Sequence, residues 1–127
     1  MAEKKKKCLA LVAHDRKKTD IVVWANFNRG KLMNFKLVGT KSTANLITEK
    51  TGLEVETLLS GPYGGDVQVA AMVAQGEVDA VIFLRDPLGK HPHDPDINTL
   101  MRVCDVHNIP LATNLATADL IISQINP

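Results

Sequence analysis

Residues 8–13 read CLALVA, six apolar side chains in a row between a run of lysines and His14. A strand with one wet face alternates apolar and polar residues. An unbroken apolar run of this length instead marks a strand covered on both faces, as in a parallel sheet sandwiched between helices. DAVIFL (Asp79–Leu84) repeats the pattern, and FKLVG (Phe35–Gly39), VETLL (Val55–Leu59) and IPLAT (Ile109–Thr113) read as three more strands.

Helical patterns fill the gaps. Ile21, Trp24, Ala25 and Asn28 mark a helix that ends near Gly30, and Ser42–Gly52 forms another with Gly52 just past its end. Val67–Gln75 is apolar on almost every side, with Gly76 closing it. Asp94 caps a helix whose first residue is Pro95 and whose stripe is Ile97, Leu100, Met101 and Cys104. Thr117 caps the last, striped by Ala118, Ile121, Ile122 and Ile125. Five strands alternating with five helices predict an α/β fold of three layers: a five-stranded parallel sheet with helices on both faces. Its order is the flavodoxin-like 2-1-3-4-5 or the related 3-2-1-4-5.

The 127 residues suffice for one core, so a single domain over 1–127, with 1–7 as a basic tail, is expected. A net charge of +1 gives no pull toward nucleic acid or membrane, and no apolar stretch nears the roughly 20 residues of a span. No cleavable leader is evident. Cys8 and Cys104 fall on apolar faces and read as reduced packing residues, which points to the cytoplasm.

In such sheets ligands bind beyond the carboxyl ends of the strands. The segments there are HDRKK (His14–Lys18), GTKST (Gly39–Thr43), SGPYGGD (Ser60–Asp66), RDPLGKHPHDPD (Arg85–Asp96) and TNLAT (Thr113–Thr117). The opposite connections, KTGLE (Lys50–Glu54) and AQGEVD (Ala74–Asp79), are bland. GTKST joins a strand to a helix amino terminus, where free N–H groups and the dipole favour an anion. Thr40, Ser42 and Thr43 add hydroxyls and Lys18 a cation; equally, Ser42 or Thr43 could only cap the helix. SGPYGG allows either a nest of N–H groups or a wide turn. No GxxxxGK[ST] supports a nucleotide loop, no GxSxG a serine nucleophile, and HPHDPD lacks the spacing of a metal site. A carboxylate with histidines (His14, His91, His93) around a phosphate cradle suits proton transfer beside the carbonyl of a small phosphorylated substrate.

In order, LVAHDRKK, GTKSTANLI, LLSGPYGGDVQV, RDPLGKHPHDPD and NIPLATNLATAD resemble the methylglyoxal synthase family over Cys8–Ile122. The resemblance implies a lyase that converts dihydroxyacetone phosphate into methylglyoxal and inorganic phosphate through an enediolate. It implies no metal or organic cofactor, inorganic phosphate as an inhibitor, and a homohexamer. By matched position, Asp66 would be the general base and His93 would stabilise or protonate the enediolate. His14 and Lys18 would contact substrate, Lys18 on its phosphate; Thr40, Lys41, Ser42 and Thr43 would cradle that phosphate with Ser60 and Gly61. Asp15, Asp86 and Asp96 would form the polar network that orients the histidines. Lys41 and Ser42 stand where that family frequently has glycine and threonine, and no residue matches the arginine of its carboxy-terminal extension. The alternative is a non-catalytic module binding phosphorylated effectors, as in the superfamily's regulatory domain of carbamoyl-phosphate synthetase. A sensor of that kind has no need of Asp66 and His93 together.

Overall fold

The computed structural model describes residues 6–89 and 95–127, with the side chains of Pro95 and Asp96 left aside. Five strands, β1 (Cys8–Ala13), β2 (Lys36–Thr40), β3 (Glu56–Leu58), β4 (Ala80–Leu84) and β5 (Leu111–Ala112), form one sheet. All pairings are parallel and the order is β3-β2-β1-β4-β5, the second of the two orders expected. The helices are α1 (Lys18–Phe27), α2 (Arg29–Leu32), α3 (Lys41–Thr51), α4 (Gly65–Ala74), α5 (Pro95–Val106) and α6 (Leu115–Gln124).

CLALVA is buried along its whole length because it is the central strand, and its period-2 pleat divides it between two cores. Leu9, Leu11 and Ala13 point to one face with Leu37, Ile82 and Leu84, beneath Ile21 and Trp24 of α1, Ile47 of α3 and Ile122 of α6. Cys8, Ala10 and Val12 point to the other with Val38, Val81 and Phe83, beneath Val69 and Val73 of α4 and Leu100 and Cys104 of α5. Burial pushes both thiols, Cys8 and Cys104, up to about 11, as suits inert packing groups.

Three expectations change. The first helix does not stop near Gly30. The Asn28 side chain donates to Trp24 O at 2.9 Å, and the chain turns into α2, drawn on by the burial of Leu32 and Phe35. The cap of α6 is Asn114 and not Thr117. Asn114 Oδ1 accepts from the Thr117 N–H at 2.9 Å, so Thr117 lies inside the first turn. Helix α4 begins at Gly65 rather than Val67; Val69, Ala70 and Val73 are buried, and its exposed face, with Val67, Ala71 and Ala74, is apolar as well. The expected cap Asp94 lies outside the described residues. No helix among the described residues is long and apolar enough to cross a membrane.

Candidate active site

Strand order 3-2-1-4-5 reverses direction between β1 and β4. α1 leaves β1 over one face and α5 follows β4 over the other, and in sheets of this kind the point where they part is where ligands bind. His14 sits there. Its N–H donates to Leu84 O at 3.1 Å, extending the β1–β4 pairing by one residue. Its Nδ1 accepts the Asp86 N–H at 2.9 Å, and its ring meets Phe83 edge-on, 5.2 Å between centroids. An Nδ1 that accepts a hydrogen bond carries no proton, so the tautomer has its proton on Nε2 and that nitrogen is a donor. The amide that fixes this tautomer is itself pinned. Asp86 Oδ1 accepts from the Leu88 N–H at 3.1 Å and Asp86 O from the Gly89 N–H at 3.2 Å, an Asx-type turn. Asp86 therefore meets His14 through its backbone.

After His14 a single 3-10 turn (Asp15–Lys17) leads into α1. Lys18 Nζ donates to Asp15 Oδ1 at 2.6 Å, and this hydrogen bond, with the ammonium charge, holds the Asp15 carboxyl below its usual range. Asp15, expected in the network around the histidines, thus reaches Lys18.

At the end of β2, Thr40 is the N-cap of α3 in extended conformation, and its side chain makes no capping bond. No side chain caps the amides of the first turn of α3. Thr40 and Thr43 are buried, with hydroxyls 3.5 Å apart, while Lys41 and Ser42 are exposed.

The Ser60–Asp66 segment resolves toward the wide turn. The N–H groups of Tyr63 and Gly65 bond Ser60 O and that of Gly64 bonds Gly61 O, all at 3.0 Å, so these three amides face inward. Gly64 takes φ +95°. Gly65 is required for closeness: a Cβ there would lie 2.0 Å from Leu59 O and 2.7 Å from Thr40 Cγ2. The start of α4 is therefore seated against the start of α3. Asp66, only 6 % exposed, follows in that first turn.

The fold thus brings together Thr40, Thr43, Gly65 and Asp66 at one corner and His14, Lys18, Asp15 and Asp86 beyond the ends of β1 and β4; Ser60 and Gly61 follow the edge strand β3 and are half-buried. His93, His91 and Asp94 lie outside the described residues, and of Asp96 only the backbone, in the first turn of α5, is described. Sequence reasoning missed the Asp86 amide and Phe83 as the partners of His14; a backbone donor leaves no trace in residue type. It also missed the role of Gly65 as the contact between two helix ends. Among the described residues no group of three or more His, Cys, Asp or Glu could hold a metal ion. A broad depression of about 1660 Å³ opens at the other edge of the sheet, lined by Lys7, Lys36, Glu56, Glu77 and Asp79, away from this chemistry.

The family model described as MGS-like domain matches residues 20–113. The chain is 53 % identical over 118 residues to a methylglyoxal synthase of Ralstonia nicotianae, covering 93 % of this chain and 87 % of that one. It is 53 % identical over 116 residues to a methylglyoxal synthase of Clostridium botulinum (strain Alaska E43), covering 91 % and 98 %. A crystal structure of methylglyoxal synthase from Elizabethkingia anophelis superposes with TM-score 0.88 at 47 % identity, covering 94 % of this chain and 78 % of that one.

Proposed function

The chain belongs to the methylglyoxal synthase family and is a lyase, and we propose that it converts dihydroxyacetone phosphate into methylglyoxal and inorganic phosphate with Asp66 as base. The observation that supports this mechanism is the close approach of Gly65 to Thr40, with the buried Asp66 next to Gly65 in the chain.

On this reading the phosphate end of the substrate lies at the amino terminus of α3, held by its N–H groups, the hydroxyls of Thr40, Ser42 and Thr43, and Lys18, with Lys41, Ser60 and Gly61 at its margin. Asp66 then removes a proton from the carbon that bears the hydroxyl. Negative charge grows on the former carbonyl oxygen, and a donor already aimed there lowers the barrier because it needs no reorganisation. His14 Nε2–H, oriented by the Asp86 amide, supplies one such donor, and His93 is assigned as the second. Electrons of the enediolate next expel phosphate from the adjacent carbon, and the cradle stabilises the leaving group as its charge increases. The enol that remains takes a proton and relaxes to methylglyoxal. A free aspartate, near 3.9, is a weak base for a carbon acid, so placement does more than basicity.

The chemistry calls for no metal or organic cofactor. We assign inorganic phosphate as product and competitive inhibitor, a homohexamer as the working assembly and the cytoplasm as its compartment. The test is direct: mix the purified chain with dihydroxyacetone phosphate and quantify phosphate and dicarbonyl. Asp66→Asn should bind inorganic phosphate within a few-fold of wild type and lose turnover by about 10²–10⁴. Turnover equal to wild type removes Asp66 as base.

A further inference from the structure

The turn after β1 carries three cations in succession, and each meets a carboxylate. Arg16 Nε lies 3.9 Å from Asp86 and Lys17 Nζ 3.8 Å from Asp20, both beyond hydrogen-bond length. Only Lys18 and Asp15 make a short charge-assisted bond, at 2.6 Å. The two ends of that bond differ: the Lys18 side chain is 21 % exposed, whereas Asp15 is 95 % exposed and approaches the ammonium from the solvent side.

We propose that Asp15 is a resident competitor of phosphate for the Lys18 ammonium, holding Lys18 between turnovers and reclaiming it as inorganic phosphate leaves. The proposal rests on the reading above that Lys18 contacts the phosphate. A phosphate dianion and a carboxylate on the same ammonium repel one another, so binding of one loosens the other. Asp15 can swing away at little cost, because almost none of it is packed. It also stays anionic at neutral pH, since Lys18 holds its carboxyl below the usual range. The consequence is a cradle tuned weaker than its donors allow, which hastens release of the product anion.

The experiment measures inhibition by inorganic phosphate together with kcat and KM for dihydroxyacetone phosphate. Asp15→Asn, similar in shape, should tighten phosphate inhibition about two- to fivefold, the size an exposed ion pair carries, and lower KM with it. Asp15→Glu should restore values near wild type. With Lys18→Met in place, Asp15→Asn should change nothing, because there is no ammonium to release. Asp20→Asn, which removes the same charge from the neighbouring pair, should leave inhibition unaltered. Phosphate inhibition that is unchanged or weaker in Asp15→Asn overturns the competitor role, as does a tightening that persists with Lys18→Met or is matched by Asp20→Asn. Should Lys18→Met alone leave phosphate inhibition intact, the assignment of Lys18 to the phosphate falls and takes the proposal with it. If Lys18→Met weakens inhibition while Asp15→Asn is silent, only the competitor role falls.

Discussion

Replacing Gly65 by alanine adds one methyl group at the point where two helix ends meet. That carbon would stand 2.0 Å from Leu59 O and 2.7 Å from Thr40 Cγ2. Carbon–oxygen contacts settle at about 3.3 Å or beyond, so relief needs a movement of more than about 1 Å. The first obstacle is a backbone carbonyl, which cannot rotate away as a side chain would. Leu59 is further tied to α4, its N–H donating to Gln68 Oε1 at 2.6 Å. The start of α4 must therefore lift off Thr40 and carry Asp66 with it. Overpacking of this kind costs about 1–3 kcal/mol, equivalent to a fall in melting temperature of roughly 4–12 °C for a chain of this size. A misplacement of about 1 Å between a base and its proton costs on the order of 10² in rate. Gly65→Ala should accordingly lose about a hundredfold in kcat in an assay of phosphate release, while most of the protein stays folded at 25 °C. Gly30→Ala is the matched control: a Cβ at Gly30 meets nothing within 4 Å. That variant should keep wild-type kcat and gain about 0.5–1 kcal/mol of stability. A Gly65→Ala enzyme with kcat within threefold of wild type and an unmoved melting temperature would refute the claim that this contact places the carboxylate.

Thr43→Val retains the shape of a fully buried side chain and deletes its hydroxyl. Losing a bond to a charged phosphate should raise KM and the phosphate inhibition constant about tenfold or more, read from steady-state kinetics; an unchanged KM removes Thr43 from the cradle. His93→Gln should cost about 10²–10⁴ in kcat with an unaltered melting curve, and equal rates exclude His93 from the chemistry. Cys8 and Cys104 make the fold sensitive to alkali. Unfolded, both thiols ionise around 9.0, whereas in the fold they keep their protons to about 11. Their contribution to stability is complete below pH 9 and is lost as pH rises toward 11. Denaturant melts between pH 8 and 11 should show a smaller alkaline loss in the Cys8→Ala/Cys104→Ala variant, and parallel curves for the two proteins would contradict the assigned burial effect.

Particular residues show why some features were legible in the chain and others not. CLALVA and the buried run at the end of DAVIFL announced a doubly covered sheet, because burial on both faces leaves no polar position in a strand. Gly52 at φ +77° was foreseeable as a helix terminator, since only a residue without Cβ adopts that conformation cheaply. Caps were less legible. Asn114 and Thr117 are both capping types three residues apart, and the choice fell to the course of the chain leaving β5. The continuation past Gly30 depended on room in the core for Leu32 and Phe35, which no local pattern states.

The sequence determined the layer architecture and the edge at which the candidate site residues gather, since hydrophobic period and the placement of Gly, Ser, Thr, His and Asp after each strand are properties of the linear chain. It also named most of the candidate side chains. Strand order, the Asp86 amide on His14 and the seating of Gly65 on Thr40 were decided by tertiary structure. These are contacts between segments remote in sequence, or involve backbone groups that every residue shares. They exist only once the strands have taken their neighbours and the helices their faces.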